Sequence, residues 1–409
     1  MISRHTERTS PSLWLLVLIV ISGTLAMHMF VPALPDAART FGASRSAMQM
    51  TVSIYILGLA GGQLVYGPLS DSMGRRPMLI LGLALYTVAG FVAALSADVH
   101  TLVAARLFQA LGGCAGLALG RAIVRDTSQS NDAVAKLAIL NLMMMVGPGL
   151  APLLGSGLSL IFGWRSIFLF LALLGGVTLM FTWYLLPETV RPIGNIKITT
   201  LASDYTLLLR SPSFMGFALG GGCATTSIYS FIAAAPFIVS SQLHRSLGEV
   251  GLYLSLLMVG MGMGNAITRH LVHRFTIERL LIVGNAVSVL SAIVLLVVTL
   301  ASWLTIVSAI GLMFVFGIGA GTASPGALTK ALSGNPTVIG SAAGLYGFIQ
   351  MSVGALCTYM VGFGHNPTLS AAIVLTVTAT LGQVGFWVAI GWDRLTIRHI
   401  GTLEIVCSK

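Results

Sequence analysis

The chain has 409 residues, of which 56% are hydrophobic and only 8% are charged. Soluble domains carry roughly 25% charged residues, so this composition excludes a soluble globular protein. The formal net charge of +10 would suit a nucleic-acid-binding protein, but the basic residues are scattered among short polar segments. Apolar runs of about twenty residues, the length that crosses a bilayer as a helix, recur along the chain and predict a polytopic membrane protein.

The apolar runs predict an all-α fold with twelve transmembrane helices in two halves of six. The expected limits of the spans are 13–35, 47–69, 78–97, 101–122, 134–160, 164–186, 214–239, 248–269, 278–300, 303–327, 338–362 and 369–391. The predicted domains are an N-terminal tail (1–12), a first half (13–186), a central cytoplasmic loop (187–213), a second half (214–391) and a C-terminal tail (392–409). Paired halves are typical of transporters that bind substrate between the halves near the bilayer midplane.

The distribution of Lys and Arg predicts the orientation. With the N-terminus inside, 17 of the 22 basic residues fall on the cytoplasmic side, 4 on the outer side and one, Arg106, within a span. Cytoplasmic loops of membrane proteins carry the excess of Lys and Arg, so both termini are expected in the cytoplasm.

A membrane-embedded enzyme or a channel is the alternative at this stage. All twelve acidic residues lie in or beside the expected loops or tails, and only His28 and Arg106 are strong ionisable candidates within spans. The chain has no metalloprotease or serine-hydrolase motif and no His and Cys cluster at ligand spacing, so no enzyme, metal site or cofactor is expected. A channel would need a repeated filter or rings of like residues, and none is evident.

The first span closes with AMHMFVPALP, residues 26–35. An ionisable residue inside a membrane is expensive and is a functional hypothesis by default, so His28 is expected to couple protons or contact substrate. Thr24 and Val31 are expected to line the substrate site beside it, and Asp36 is a reserve proton carrier unless it is solvated. The alternative is a neutral His28 that hydrogen-bonds a neighbouring helix.

The fourth span places Arg106, Gln109 and Gly113 on one helical face. A guanidinium there must point into a polar cavity or find hydrogen bonds, because facing lipid is costly. Arg106 and Gln109 are therefore expected to line the substrate site. The alternative is a structural arginine that binds carbonyls of a neighbouring helix or snorkels outward.

The turn GPLSDSMGRRP, residues 67–77, combines an acid and two arginines around a glycine that permits a tight turn. It resembles the loop 2–3 motif of the major facilitator superfamily, which latches the two halves in one state of the transport cycle. The resemblance assigns this conformational latch to Gly67, Asp71, Gly74, Arg75 and Arg76. The second-half counterpart, 264–275, keeps basic residues but no acid, so the latch is expected mostly in the first half.

The fifth span contains MMMVGPGLAPLLG, residues 143–155. Prolines remove backbone donors and bend helices, and small residues allow close helix packing. Bending and packing are therefore expected of Gly147, Pro148, Ala151, Pro152 and Gly155. The segment resembles the span-five motif of proton-driven exporters of the same superfamily.

Further matches narrow the resemblance: RAIVRD (121–126), the WRSIF and LPET segments around span six, FIAAAPF (231–237), Gly264-Asn265 and GSAAGLYGFIQ (340–350). Together, residues 12–392 resemble the bicyclomycin-resistance (Bcr/CflA) branch of the drug:proton antiporters. The resemblance implies a monomer in the bacterial inner membrane that exports drugs or small amphipathic metabolites in exchange for protons, with Arg106 in proton coupling. By helical face and polar or aromatic type, Tyr229, Phe231 and Gln350 are the expected second-half substrate contacts; the alternative is that Tyr229 and Phe231 face lipid.

The chain departs from that branch at His28, where the branch usually keeps an acid. Burial favours a neutral histidine, although its reference pKa of about 6.5 still permits titration near physiological pH. A histidine does not attract a cation as a carboxylate does, so neutral, zwitterionic or weakly anionic substrates are expected. An uncoupled facilitator or an importer of the same fold stays open, as does, less favoured, a membrane sensor or scaffold.

Overall fold

The computed structural model describes residues 11–128, 130–190, 194, 198–243, 245–333 and 338–407. The tail residues 1–10 and 408–409 and parts of the expected central loop, 191–193 and 195–197, lie outside the described residues. The described chain is helical. Its α-helices are α1 (Leu13–His28), α2 (Leu34–Phe41), α3 (Arg45–Met73), α4 (Arg75–Ala94), α5 (Val99–Thr127), α6 (Ser130–Phe162), α7 (Arg165–Leu185), α8 (Ile198–Leu209), α9 (Pro212–Thr225), α10 (Ile228–Phe237), α11 (Leu247–Leu271), α12 (Ile277–Leu300), α13 (Ile306–Ser333), α14 (Ile339–Val361) and α15 (Pro367–Cys407).

Twelve helical segments of the described chain are long and apolar enough to cross a membrane, which confirms the predicted all-α architecture. Each corresponds to one expected span. The first segment runs on to Phe41, past the expected end at Pro35, because its prolines stand at helix starts, where a missing N–H costs little. A short helix, α8, occupies part of the expected central loop, and α15 continues through the expected C-terminal tail to Cys407.

The helices fall into two compact units. The first unit comprises Met1–Ile196 and Leu247–Ser255, and the second comprises Lys197–Ser246 and Leu256–Lys409. In the first unit, α5 packs against α1, α3 and α4, while α7 packs on α4. In the second unit, α9 packs against α13, α14 and α15, while α12 lies between α13 and α15.

Small residues bring α6 close to the end of α1 in the first unit. The predicted stripe of Gly147, Ala151 and Gly155 is buried. A Cβ at Gly147 would stand 2.7 Å from the hydroxyl oxygen of Thr24, and one at Gly155 would overlap the backbone carbonyl of Met29. The helix α6 runs without a break through both of its prolines. Only glycine fits where a helix backbone touches another backbone this closely.

Replacing Gly155 by alanine should lower the stability of the first unit. The added methyl group overlaps backbone atoms that cannot rotate away, so Gly155→Ala should cost about 1–3 kcal/mol of unfolding free energy. The matched control is Gly157→Ala on the same helix, where nothing lies within 4 Å of the new methyl group. That control should be neutral or gain up to about 1 kcal/mol from helix propensity. Thermal unfolding of the purified proteins in detergent measures both, and equal midpoints would contradict the expected overlap.

Candidate functional site

The first span is interrupted beside Arg106. α1 ends at His28, a single 3₁₀ turn covers Val31–Ala33, and α2 begins at Leu34. The last carbonyls of a helix have no intrahelical donor of their own at such an end. Arg106 Nη1 donates to the Ala26 carbonyl at 2.9 Å and to Gln109 Oε1 at 2.9 Å. Arg106 therefore contacts the end of α1 directly, and Gln109, on the same face of α5, contacts Arg106.

Aromatic rings surround the Arg106 guanidinium, which is completely buried. Its Cζ lies 3.9 Å from the ring centroid of Tyr55, 5.7 Å from that of Phe168 and 5.9 Å from that of Phe30. Arg106 Nε and Nη2 have no hydrogen-bond partner among the described residues, and neither partner of Nη1 is a carboxylate. Ring faces attract a cation, more strongly when it is desolvated, so the aromatic rings partly replace a counter-ion.

Two buried tyrosines that the sequence analysis did not single out fix this arrangement. The Tyr55 hydroxyl donates to the Gly23 carbonyl at 3.0 Å, and the Tyr86 hydroxyl donates to the Ser22 carbonyl at 2.9 Å. Both acceptors lie on α1, so α3 and α4 hold the helix that carries His28. No motif indicates these contacts, because the partners are 32 and 64 residues apart in the chain.

His28 is buried, with 4% of its surface exposed. Its Nδ1 lies 3.2 Å from the carbonyl oxygen of Thr24, one turn earlier on α1. A carbonyl only accepts, so Nδ1 carries the hydrogen and Nε2 is the ring atom that takes up a further proton. The geometry is compatible both with a proton carrier and with a neutral helix-packing histidine.

The other expected residues of the first span have different surroundings. Val31 is buried in the 3₁₀ turn. Asp36 lies on α2 and forms an ion pair with Arg39 one turn later, where its side chain is 31% exposed. The structure therefore does not bring Asp36 to the Arg106 guanidinium, and a local surface pair accounts for its position.

In the second unit the expected contacts gather where α14 passes α9 and α10. Gln350 Nε2 donates to the Thr225 hydroxyl at 2.7 Å, and the side chain of Gln350 is half-buried. Tyr229 is also half-buried, and a Cβ at Gly354 would stand 3.0 Å from its ring. Phe231, by contrast, is 1% exposed and belongs to the apolar interior of this unit.

Among the residues expected to form the latch, Asp71 and Arg75 belong to an ion-pair cluster that joins α3, α4 and α5 in the first unit. All three guanidinium nitrogens of Arg75 are used. Nη2 pairs with Asp71 at 2.7 Å, Nε pairs with Asp126 at 2.9 Å, and Nη1 donates to the Ser70 hydroxyl. Ser70 in turn donates to the carbonyl of Gly67 at 2.9 Å. A planar guanidinium with several fixed donors suits such a cluster.

A carboxylate from beyond α7 completes the latch turn. Glu188 accepts from the backbone N–H of Arg75 at 2.9 Å and of Arg76 at 3.2 Å, which caps the first turn of α4. An anion is favourable at a helix N-terminus, where backbone donors lack partners. Gly74 has φ +101°, and a Cβ there would stand 2.5 Å from Glu188, so this turn requires glycine. The LPET segment carried the only sequence signal for Glu188.

The second unit has an ion-pair cluster of its own, which the sequence analysis missed. Glu278, in the first turn of α12, pairs with Lys330 near the end of α13 at 2.8 Å and with Arg394 of α15 at 3.3 Å. The expected second-half counterpart stopped at residue 275, three positions before this glutamate. The acid that the counterpart lacks is therefore supplied just beyond it.

Residues 16–358 match the sequence profile of the family described as Major Facilitator Superfamily. The chain belongs to this superfamily. It is 29% identical over 403 residues to multidrug resistance protein D of Escherichia coli strain K12, covering 96% of this chain and 97% of that protein. It is 24% identical over 384 residues to a bicyclomycin resistance protein homolog of Haemophilus influenzae, covering 91% of this chain and 96% of that protein.

The same fold occurs in the crystal structure of a bacterial homolog of the human lysosomal transporter Spinster. That comparison gives a TM-score of 0.72 at 15% identity and covers 93% of this chain and 96% of the other. The protein is a secondary transporter of the superfamily, and not an enzyme, with twelve candidate membrane spans among its described residues.

Arg75 and Arg76 should respond differently to the same substitution by lysine. Lysine has one nitrogen and cannot replace the three separate contacts of Arg75, so Arg75→Lys should cost about 1–3 kcal/mol of unfolding free energy. Arg76 is the matched control, because its side chain makes one hydrogen bond, to the Trp183 carbonyl at 2.7 Å, and its backbone contact to Glu188 survives substitution. Thermal unfolding in detergent should show a lower midpoint for Arg75→Lys only. Similar losses in both variants would show that the three contacts of the Arg75 guanidinium do not stabilise the protein specifically.

Proposed function

We propose that this protein exports drugs or small amphipathic metabolites in exchange for protons, as a member of the Bcr/CflA branch. Two of its full-length relatives are named for multidrug resistance and for bicyclomycin resistance. The observation that carries the proposal is a buried histidine at the interruption of the first span, next to a buried arginine without a carboxylate partner.

Protonation of His28 adds a positive charge beside Arg106, and this charge changes the relative stability of the transporter's conformational states. Arg106 hydrogen-bonds the carbonyl of Ala26, two residues before His28, so a proton on His28 Nε2 places a second positive charge in a region that already holds one. Two like charges in a desolvated environment repel strongly. Proton uptake therefore requires a state in which water or another group relieves this repulsion, and proton release favours the buried arrangement. Such a difference between states is what couples a proton to alternating access.

The same charges determine which substrates are accepted. A cationic group beside Arg106 and a protonated His28 meets repulsion and finds no carboxylate. Neutral, zwitterionic or weakly anionic substrates avoid this repulsion, so we expect them to be preferred over permanent cations. The Arg75 cluster serves as the conformational latch of the cycle, and the protein works as a monomer in the bacterial inner membrane with both termini in the cytoplasm.

The proposal predicts proton release from energised everted membrane vesicles. Bicyclomycin (neutral), p-aminohippurate (anionic) and paraquat (a permanent dication) are added in turn, and lumenal pH is followed. Wild-type vesicles should release protons with bicyclomycin or p-aminohippurate but not with paraquat. His28→Ala should abolish this release, and His28→Asp should gain release with paraquat, because a carboxylate attracts a cation.

His270→Ala is the matched control, because His270 is exposed on α11, and it should behave as wild type. Release retained in His28→Ala would remove His28 from the coupling path. Flux of bicyclomycin down its own gradient without proton release would replace antiport by uncoupled facilitation. High-rate proton-linked efflux of paraquat by the wild type would contradict the substrate preference.

A further inference from the structure

The second unit contains an interrupted span rich in hydroxyl groups. α9 ends at Thr225 and α10 begins at Ile228, so Thr226 and Ser227 separate two helices within one candidate span, Pro212–Gln242. The break is a single tightened turn, in which the Tyr229 N–H donates to the Thr226 carbonyl at 3.1 Å and the Ser230 N–H donates to the Ser227 carbonyl at 2.9 Å. A short 3₁₀ stretch within a helix often marks a hinge or a functional position.

A hydrogen-bond chain connects the interruption to α14. Gln350 Nε2 donates to Thr225 Oγ1 at 2.7 Å, and Thr225 Oγ1 donates to the Gly221 carbonyl at 2.6 Å. The Thr226 hydroxyl donates to the backbone carbonyl of Gln350 at 2.7 Å. These contacts use the amide nitrogen of Gln350 and leave its Oε1 without a donor among the described residues. A half-buried acceptor therefore remains available at the interruption.

Two buried hydroxyl groups near this chain have no partner within the described structure. The Tyr346 hydroxyl, on a side chain that is 3% exposed, occupies the place where a Cβ of Gly221 would stand. The Ser227 hydroxyl is completely buried at the interruption itself. A buried hydroxyl without a partner destabilises the fold, so such groups indicate a water or ligand that completes their hydrogen bonds.

The surroundings of these groups carry no charge. The helices α9, α10 and α14 contain no Asp, Glu, Lys or Arg. Of the helices packed against them, α13 has Lys330 near its end, and α15 has no charged residue before Asp393. The helix α8 has Asp204, which accepts from Ser341 in the first turn of α14 at 3.0 Å. A charged group bound at the interruption would find no counter-ion, which is costly in a desolvated site.

We propose that Tyr346 and Gln350, one turn apart on α14, form a neutral hydrogen-bonding subsite that accepts a hydroxyl or amide group of the substrate. The assignment rests on the proposed function and narrows its substrate class to uncharged compounds that both donate and accept hydrogen bonds. Thr225 and Thr226 position Gln350, because their hydroxyls hold its amide nitrogen and its backbone.

The test uses Tyr346→Phe, which removes one oxygen atom and keeps the ring. Equilibrium binding of radiolabelled bicyclomycin, a neutral compound with several hydroxyl and amide groups, is measured on the purified full-length protein in detergent. Tyr346→Phe should raise its Kd about five- to tenfold, which is the value of one hydrogen bond. The thermal midpoint of the unliganded variant should stay equal or rise, because the lost hydroxyl has no partner in the protein.

Tyr359→Phe is the matched control, because Tyr359 lies on the same helix with 41% of its surface exposed. It should bind bicyclomycin as the wild type does, whereas Gln350→Leu should lose about as much affinity as Tyr346→Phe. An unchanged Kd in both Tyr346→Phe and Gln350→Leu, or no saturable bicyclomycin binding by the wild type, would overturn the subsite. Binding requires no proton gradient, so wild-type binding without proton release in vesicles would refute antiport alone.

Discussion

The buried charge of Arg106 constrains how the helices of the first unit pack. A guanidinium inside a membrane protein needs partners, and here they come from the Ala26 carbonyl, Gln109 and the face of Tyr55. Each partner places a demand on a different helix: α1 must expose a carbonyl at its end, and α3 must bring a ring within 3.9 Å. The interruption after His28 and the tyrosine contacts to α1 are therefore parts of one arrangement that accommodates this charge.

The two units contain ion pairs at corresponding positions, but the acidic and basic partners are exchanged between them. In the first unit the start of α4 supplies the cation Arg75 and α5 supplies the anion Asp126. In the second unit the start of α12 supplies the anion Glu278 and α13 supplies the cation Lys330. Both clusters join the third span of a unit to its fourth. An ion pair stabilises this connection in either polarity.

Which features the sequence predicts depends on the range of each interaction. The twelve spans were predictable because apolar length is a local property, and the contact between Arg106 and Gln109 was predictable because residues three apart share a helical face. Glu188 was not, because it caps a helix that begins 113 positions earlier in the chain. The hydroxyl of Tyr346 was missed for another reason: its significance is the absence of a partner, which no sequence pattern encodes.

The chemistry of the two units differs at their interrupted spans. In the first unit the basic residue His28 lies on the interrupted span and Arg106 contacts it, whereas the interrupted span of the second unit, Pro212–Gln242, has hydroxyl groups, a hydrogen bond to the amide of Gln350, and no Asp, Glu, Lys or Arg. Protonation of His28 adds a full positive charge to the region around Arg106, but it leaves the uncharged groups around Gln350 unaltered. Under the proposed coupling, a proton on His28 would change the state of the transporter without directly changing the hydrogen bonds offered by Gln350 and Tyr346. Separating the coupling group from the recognition groups in this way would let one protonation step serve many neutral substrates.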